Sequence, residues 1–178
     1  MDATPSDEWD WSPYSSPRGR FDPLSGRFRV RYAANSPMVA ARERFPARTI
    51  TEAEGDHWLI ALGPMPPALH LTHQSNLDVL GLDDRVSTGR IVTSGRVDPD
   101  PLLETCGRLA DAIYDWWHGL PPPLLYRSRT APATGRSLAF TQSSSVPTAS
   151  IGRLRDASAL HAHLVLRASF TVPPDWIA

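Results

Sequence analysis

Gly19-Arg-Phe-Asp-Pro-Leu-Ser-Gly-Arg-Phe-Arg-Val-Arg-Tyr-Ala-Ala-Asn-Ser-Pro-Met-Val-Ala-Ala-Arg-Glu43 divides into a turn, a strand and the start of a helix. Over residues 27–33 the chain alternates, with Phe28, Val30 and Tyr32 on one face and Arg27, Arg29 and Arg31 on the other. That period predicts a half-buried strand with Tyr32 turned inward. Asp22, Pro23, Ser25 and Gly26 are turn formers, so Arg20 sits where a loop feeds the strand. Ser36 suits a helix N-cap, Pro37 suits the first helical position, and Pro46 sets an early end. At ~100° per residue Met38, Ala41 and Phe45 form one apolar stripe, and Glu43 lies nearly opposite, toward water or a cleft.

Outward from this module the elements are short. Residues 57–62 read as a strand and 69–71 as a shorter one after the Pro64-Met65-Pro66-Pro67 break. Ser75 is placed to cap a brief helix through Leu80, closed by Gly81, and 83–100 reads as polar loop. The longest helix then starts at Asp98 or Asp100 with Pro99 or Pro101, and stops at Gly119 before Pro121, Pro122 and Pro123. Leu102, Cys106, Leu109, Ile113 and Trp117 recur at helical spacing and are expected to face the core. Tyr114, Trp116 and Trp117 accordingly read as packing groups, and His118 as a partner of the helix C-terminal dipole. Residues 124–127 and 137–141 read as strands joined across a turn at 132–135, with Ser128 at the end of the first. Residues 141–150 are Ser/Thr-rich and expected to be mobile, and 161–172 alternate as a final strand. This order predicts a single mixed α+β domain over 18–178, with short strands and one long helix, and a tail over 1–17 that packs on it.

Composition narrows the function classes. At 178 residues one core is the simplest reading, and 41% hydrophobic with 21% charged residues is a globular balance. A net charge of −1 does not suit a chain that coats phosphate backbones, so nucleic acid is not expected as a direct partner. Cys106 is alone, which excludes a disulfide framework and a thiolate zinc cluster and points to a reducing compartment. No stretch is long and apolar enough to span a bilayer, and the acidic N-terminus is unlike a signal peptide. The expectation is a soluble cytoplasmic protein without membrane partners. Phosphate-loop, nucleophile-elbow and His-Glu-x-x-His patterns do not occur. His161 and His163 share a face of the expected strand but have no third ligand, and His70 with His73 fares no better, so no metal site is expected.

By residue type alone, Arg20 reads as a solvated turn arginine, Tyr32 as core and Glu43 as surface. The blocks Gly19-Arg-Phe-Asp-Pro-Leu24, Val30-Arg-Tyr-Ala-Ala-Asn-Ser-Pro37 and Ala40-Ala-Arg-Glu43 resemble the N-terminal signature of the RES domain, a bacterial family named for its arginine, glutamate and serine. Leu124-Leu-Tyr-Arg-Ser-Arg129 and Gly135-Arg-Ser-Leu-Ala-Phe140 resemble its second signature, so the resemblance runs in order from Gly19 to about Thr141. It implies a fold like the diphtheria-toxin-type ADP-ribosyltransferases. It also implies a toxin that cleaves the nicotinamide–ribose bond of NAD+ with water or phosphate as acceptor, held inactive by an Xre-type antitoxin. NAD+ is then a substrate, and no cofactor is implied.

Carried onto this chain, the resemblance makes Glu43, Arg20 and Tyr32 catalytic, and Ser128 and Ser137 substrate-binding. It expects Arg20, Tyr32, Glu43 and Ser128 to line one cleft. A carboxylate near the ribose would stabilise an oxocarbenium-like transition state, and a guanidinium fork suits a pyrophosphate. Two departures stand out. Family members often carry a further arginine upstream of the Gly-Arg-Phe block, whereas the first arginine here is Arg18, so Arg20, Arg18 or Arg129 would have to substitute. Ser137 stands where an asparagine is common. The rival readings are a catalytically silent RES-like fold that binds protein, and an ADP-ribosyltransferase acting on a macromolecule.

Overall fold

A computed structural model of the chain describes residues 1–13, 19–89, 100–131, 133–144 and 146–177. In chain order the regular elements are β1 (Arg31–Ala34), α1 (Pro37–Arg44), β2 (Trp58–Leu62), β3 (Leu69–His70), α2 (Gln74–Val79), α3 (Arg85–Thr88), α4 (Pro101–Trp116), β4 (Leu124–Arg127), β5 (Arg136–Phe140), β6 (Thr148–Arg153) and α5 (Ser158–Ala168). The fold is mixed α+β, and its elements gather into two compact units. One comprises Met1–Asp10, Asn35–Met65 and Val146–Ala178; the other comprises Trp11–Ala34 and Pro66–Ser145. Each has its own apolar cluster, where the chain length alone suggests one core.

The second unit is built on a four-stranded sheet in the order β1-β5-β4-β3. β5 runs antiparallel to both neighbours, and only β3 and β4 are parallel. Its cluster includes Phe21, Phe28, Val30, Leu71, Val86, Cys106, Leu109, Ile113, Leu124 and Tyr126. α4 begins as its sequence dictates: Pro101 occupies the first turn and Asp100 accepts the Leu102 amide at 2.8 Å. Asp98 and Pro99, the other candidate start, lie outside the described residues, as does Arg18. Cys106, Leu109 and Ile113 are buried as the spacing predicts. Trp117 is not: it is 63% exposed, and Trp116 beside it is also exposed. The helix closes at Trp116, and His118 takes a left-handed φ of 55°, so helical periodicity no longer aims Trp117 at the core. His118 meets the helix end through its backbone, its amide donating to Asp115 O at 3.2 Å. The stretch expected as polar loop after residue 83 contains α3, and the rest of it, 90–99, lies outside the described residues.

The first unit pairs β2 with β6 antiparallel, with a register irregularity between Leu59 and Ile60, and Asp2 forms a bridge to Trp58. Its core gathers Ala41, Phe45, Ile50, Leu154, Leu164, Phe170, Val172 and Trp176. α1 follows its sequence, with Pro37 in the first turn and Ser36 Oγ accepting the Val39 amide at 3.2 Å. Two expectations fail in this unit. Residues 148–153 form β6 instead of a mobile segment, because Thr148–Arg153 has a partner strand ninety residues upstream that local composition does not reveal. Residues 158–168 form α5 instead of a strand: Ala and Leu favour helix there, and His161, Leu164 and Ala168 make its buried stripe. His161 and His163 therefore do not share a face. The buried His161 ring lies against the carbonyls of Leu154 at 2.7 Å and Trp176 at 3.3 Å.

Candidate functional site

Four of the five candidate residues, Arg20, Tyr32, Ser128 and Ser137, belong to the second unit. Antiparallel register sets Tyr32 against Ala139, Ala34 against Ser137, and Ser137 against Tyr126. Residues paired in register, and those two apart, share a face, so Tyr32, Ser137 and Tyr126 stand on the same side of the sheet. Ser128 follows the last residue of β4. It is fully buried; its amide donates to Gly135 O at 3.0 Å, and its Oγ accepts the Thr130 amide at 3.2 Å. Ser137 is 3% exposed and its hydroxyl has no hydrogen-bond partner among the described residues. An unmatched buried hydroxyl is costly, which makes Ser137 the candidate with spare bonding capacity.

The strand reading gives Tyr32 its side of the sheet, shared with Tyr126 and Ala139 of the core cluster, but not its exposure. The residue is 38% exposed, while Arg31, expected to be outward, is buried with its guanidinium 5.3 Å from the Trp11 ring. The reason is local. The strand proper begins only at Arg31, and the Tyr32 hydroxyl reaches back to the turn, donating to Asp22 Oδ1 at 2.8 Å and accepting the Phe21 amide at 2.8 Å. Its ring lies so close over Gly19 that a Cβ there would stand 2.4 Å from Tyr32 Cε2. Burial of the hydroxyl, with the Asp22 charge next, holds the phenol pKa well above its ordinary value.

Arg20 is 9% exposed. Its Nη1 donates to Val86 O at 3.1 Å and its Nη2 to Gly89 O at 2.5 Å, with its Cζ 5.9 Å from the Tyr126 ring centre. The solvated-turn reading therefore fails, because the guanidinium closes the C-terminal end of α3, where unpaired carbonyls favour a cation. Cys106 lies nearby, its thiol directed at Val86 O; burial pushes its pKa up to about 11 despite the Arg20 charge. That keeps it a protonated core thiol.

Glu43 belongs to the other unit, on α1. It is half-buried, two residues from each of the buried Ala41 and Phe45 and hence ~160° around the helix from both. Met38, Ala41 and Phe45 pack into one cluster as the sequence reads them, but Val39 is buried as well, one turn before Glu43 and only ~40° from it around the helix.

Sequence reasoning missed Asp22, reading it only as a turn former. Its carboxylate is 2% exposed and also accepts the Gly19 amide at 2.7 Å through Oδ2. The available signal was the three-residue spacing from Gly19, which suits a side chain folding back on its own turn. A separate cavity of about 60 Å³ in the same unit is lined by Leu71, Thr72, Gln74, Leu77, Asp84, Ser87 and Arg127, and by none of the five candidates. Among the described residues no three His, Cys, Asp or Glu side chains converge in a way that would hold a metal ion. No helix among them is long and apolar enough to cross a membrane.

No family model, no curated protein and no solved structure matches this chain.

Proposed function

We propose that the chain is a RES-type enzyme that cleaves the nicotinamide–ribose bond of NAD+. The observation that carries this reading is the adjacency of the second signature to residues 19–34 of the first, whose last block, with Glu43, lies on α1. Residues 19–34 and 124–140, ninety residues apart in sequence, supply neighbouring strands of one sheet, and Tyr32, Ser137 and Tyr126 share a face of it. With water as acceptor, the C–N bond to nicotinamide breaks with its electron pair leaving on the ring nitrogen. A water oxygen bonds to the ribose carbon and releases a proton, giving ADP-ribose and nicotinamide. Phosphate in place of water gives the corresponding sugar phosphate.

Positive charge gathers on the ribose as nicotinamide leaves, and the role proposed for Glu43 is to stabilise it. Ser137 contributes a hydroxyl with spare bonding capacity, and Ser128 a hydroxyl at the strand end. Arg20 supplies positive charge toward the pyrophosphate, and Tyr32 a ring against the substrate. An Xre-type protein is the partner proposed to silence the activity. The experiment is release of nicotinamide from NAD+ by the purified chain, with and without phosphate, and loss of release in Glu43→Gln.

A second reading has its own support. Both terminal nitrogens of Arg20 donate to backbone carbonyls, and the Tyr32 hydroxyl is bonded on both sides. Such groups also suit a catalytically silent RES-like fold that binds another protein. Unchanged NAD+ in cells expressing the chain would favour it.

A further inference from the structure

We propose that Asp22 is a positioning residue, whose two carboxylate oxygens hold the Tyr32 hydroxyl and the Gly19 amide together so that Tyr32 enters the site as a fixed ring. The proposal rests on the NAD+-cleaving reading and assigns a role to a residue outside its five candidates. Oδ1 accepts the Tyr32 hydroxyl at 2.8 Å, and Oδ2 accepts the Gly19 amide at 2.7 Å. The Asp22 amide in turn donates to Gly19 O at 3.2 Å, which closes the turn that carries Arg20. The Tyr32 oxygen accepts the Phe21 amide, so its proton and a lone pair are both engaged and the hydroxyl serves as an anchor. Tyr32 as a whole stays 38% exposed.

The chemistry favours a carboxyl group. Two donors approach two different oxygens, an arrangement that the two acceptor oxygens of a carboxyl group match. Asparagine has one oxygen and one NH2, so one of the two donors would meet another donor. A turn alone is closed as well by an exposed asparagine or serine, whereas a carboxylate that is 2% exposed carries a desolvation cost that its bound donors must offset. Gly19 completes the fit, because any side chain at that position would strike the Tyr32 ring.

The test is a double-mutant cycle on the full chain with Asp22→Asn and Tyr32→Phe, read by nicotinamide release, thermal melting and phenol titration. Tyr32 is identified in the titration as the signal that Tyr32→Phe removes; Asp22 and Tyr126 are the titratable groups that act on it. The expected result is a Tyr32 titration above the ordinary phenol range that moves down in Asp22→Asn. It is accompanied by a kcat lowered roughly 10- to 100-fold, the scale of a misplaced site group, with KM little changed. The double mutant should lose no more than the worse single mutant.

Additive losses, or a Tyr32 titration that Asp22→Asn leaves in place, would overturn the proposal. A titration shift without any change in kcat would also overturn it, since Asp22 would then only support the fold. If wild type releases no nicotinamide, the NAD+ reading fails, while the titration and melting cycles still decide whether Asp22 anchors Tyr32. If Asp22→Asn does not fold, the wild-type titration carries the test, and a Tyr32 that titrates with the other tyrosines would overturn the anchor.

Discussion

Arg20 Nη1 stands 3.1 Å from the Val86 carbonyl, so an arginine that the family resemblance assigns to the substrate is also the cap on the C-terminal end of α3. Its planar fork presents separate nitrogens, Nη1 to Val86 O and Nη2 to Gly89 O, whereas a lysine would bring one point-like ammonium without that preset fork. Arg20→Lys should therefore lower unfolding stability by about 1–3 kcal/mol, the range for losing one hydrogen bond of a charged donor. Urea unfolding monitored by tryptophan fluorescence measures this. An unchanged midpoint would mean that the α3 carbonyls do not depend on the guanidinium.

Gly19 and Tyr32 give a sharper steric test. An alanine Cβ at position 19 would lie 2.4 Å from Tyr32 Cε2 and 2.6 Å from its Oη, while the ring is tethered by its hydroxyl and cannot simply swing away. Gly19→Ala should cost about 1–3 kcal/mol through this overlap. In a Tyr32→Ala background the same substitution should cost much less, because the atom it strikes is gone. Equal costs in the two backgrounds would place the strain elsewhere.

The raised phenol pKa of Tyr32 predicts a stability loss in alkali. An acid whose folded-state pKa exceeds its unfolded one contributes fully below the unfolded value, ~10 for a phenol, and its contribution is lost as pH rises through the folded value. Melting temperatures should therefore begin to fall above about pH 10, and Tyr32→Phe should flatten part of that fall. Parallel curves for the two proteins would show that Tyr32 carries no linked proton.

Much of the local fold was legible because its signals are local. Ser36 with Pro37 and Asp100 with Pro101 start α1 and α4 as their chemistry requires, and β4 matches the expected strand, with β5 shifted by one residue. What escaped depends on distant partners or on where an element stops. β6 exists because β2 pairs with it, and α5 overrides an alternating pattern because its buried face runs through His161, Leu164 and Ala168. Period two gives Tyr32 the correct side of the sheet, but its partial exposure and the hydroxyl bonds to Asp22 and the Phe21 amide carry no sequence signal. Trp117 keeps helical spacing one residue beyond the end of α4. At the candidate site, the pairing that sets Ser137 beside Tyr126 was not legible, since register across β5 is fixed by long-range contacts.

The central claim is most directly tested by incubating the purified chain with NAD+ and measuring free nicotinamide, in wild type and in Glu43→Gln, with and without phosphate. Glu43 lies off the Met38, Ala41 and Phe45 stripe but one turn from the buried Val39, so thermal melting of both proteins accompanies the assay and separates a folding loss from a catalytic one. If its carboxylate stabilises charge that develops only in the transition state, turnover should fall roughly 10²–10³-fold while NAD+ binding is largely kept. Nicotinamide release by wild type together with that drop is the predicted result. A folded wild-type protein that leaves NAD+ intact under both conditions would contradict the account.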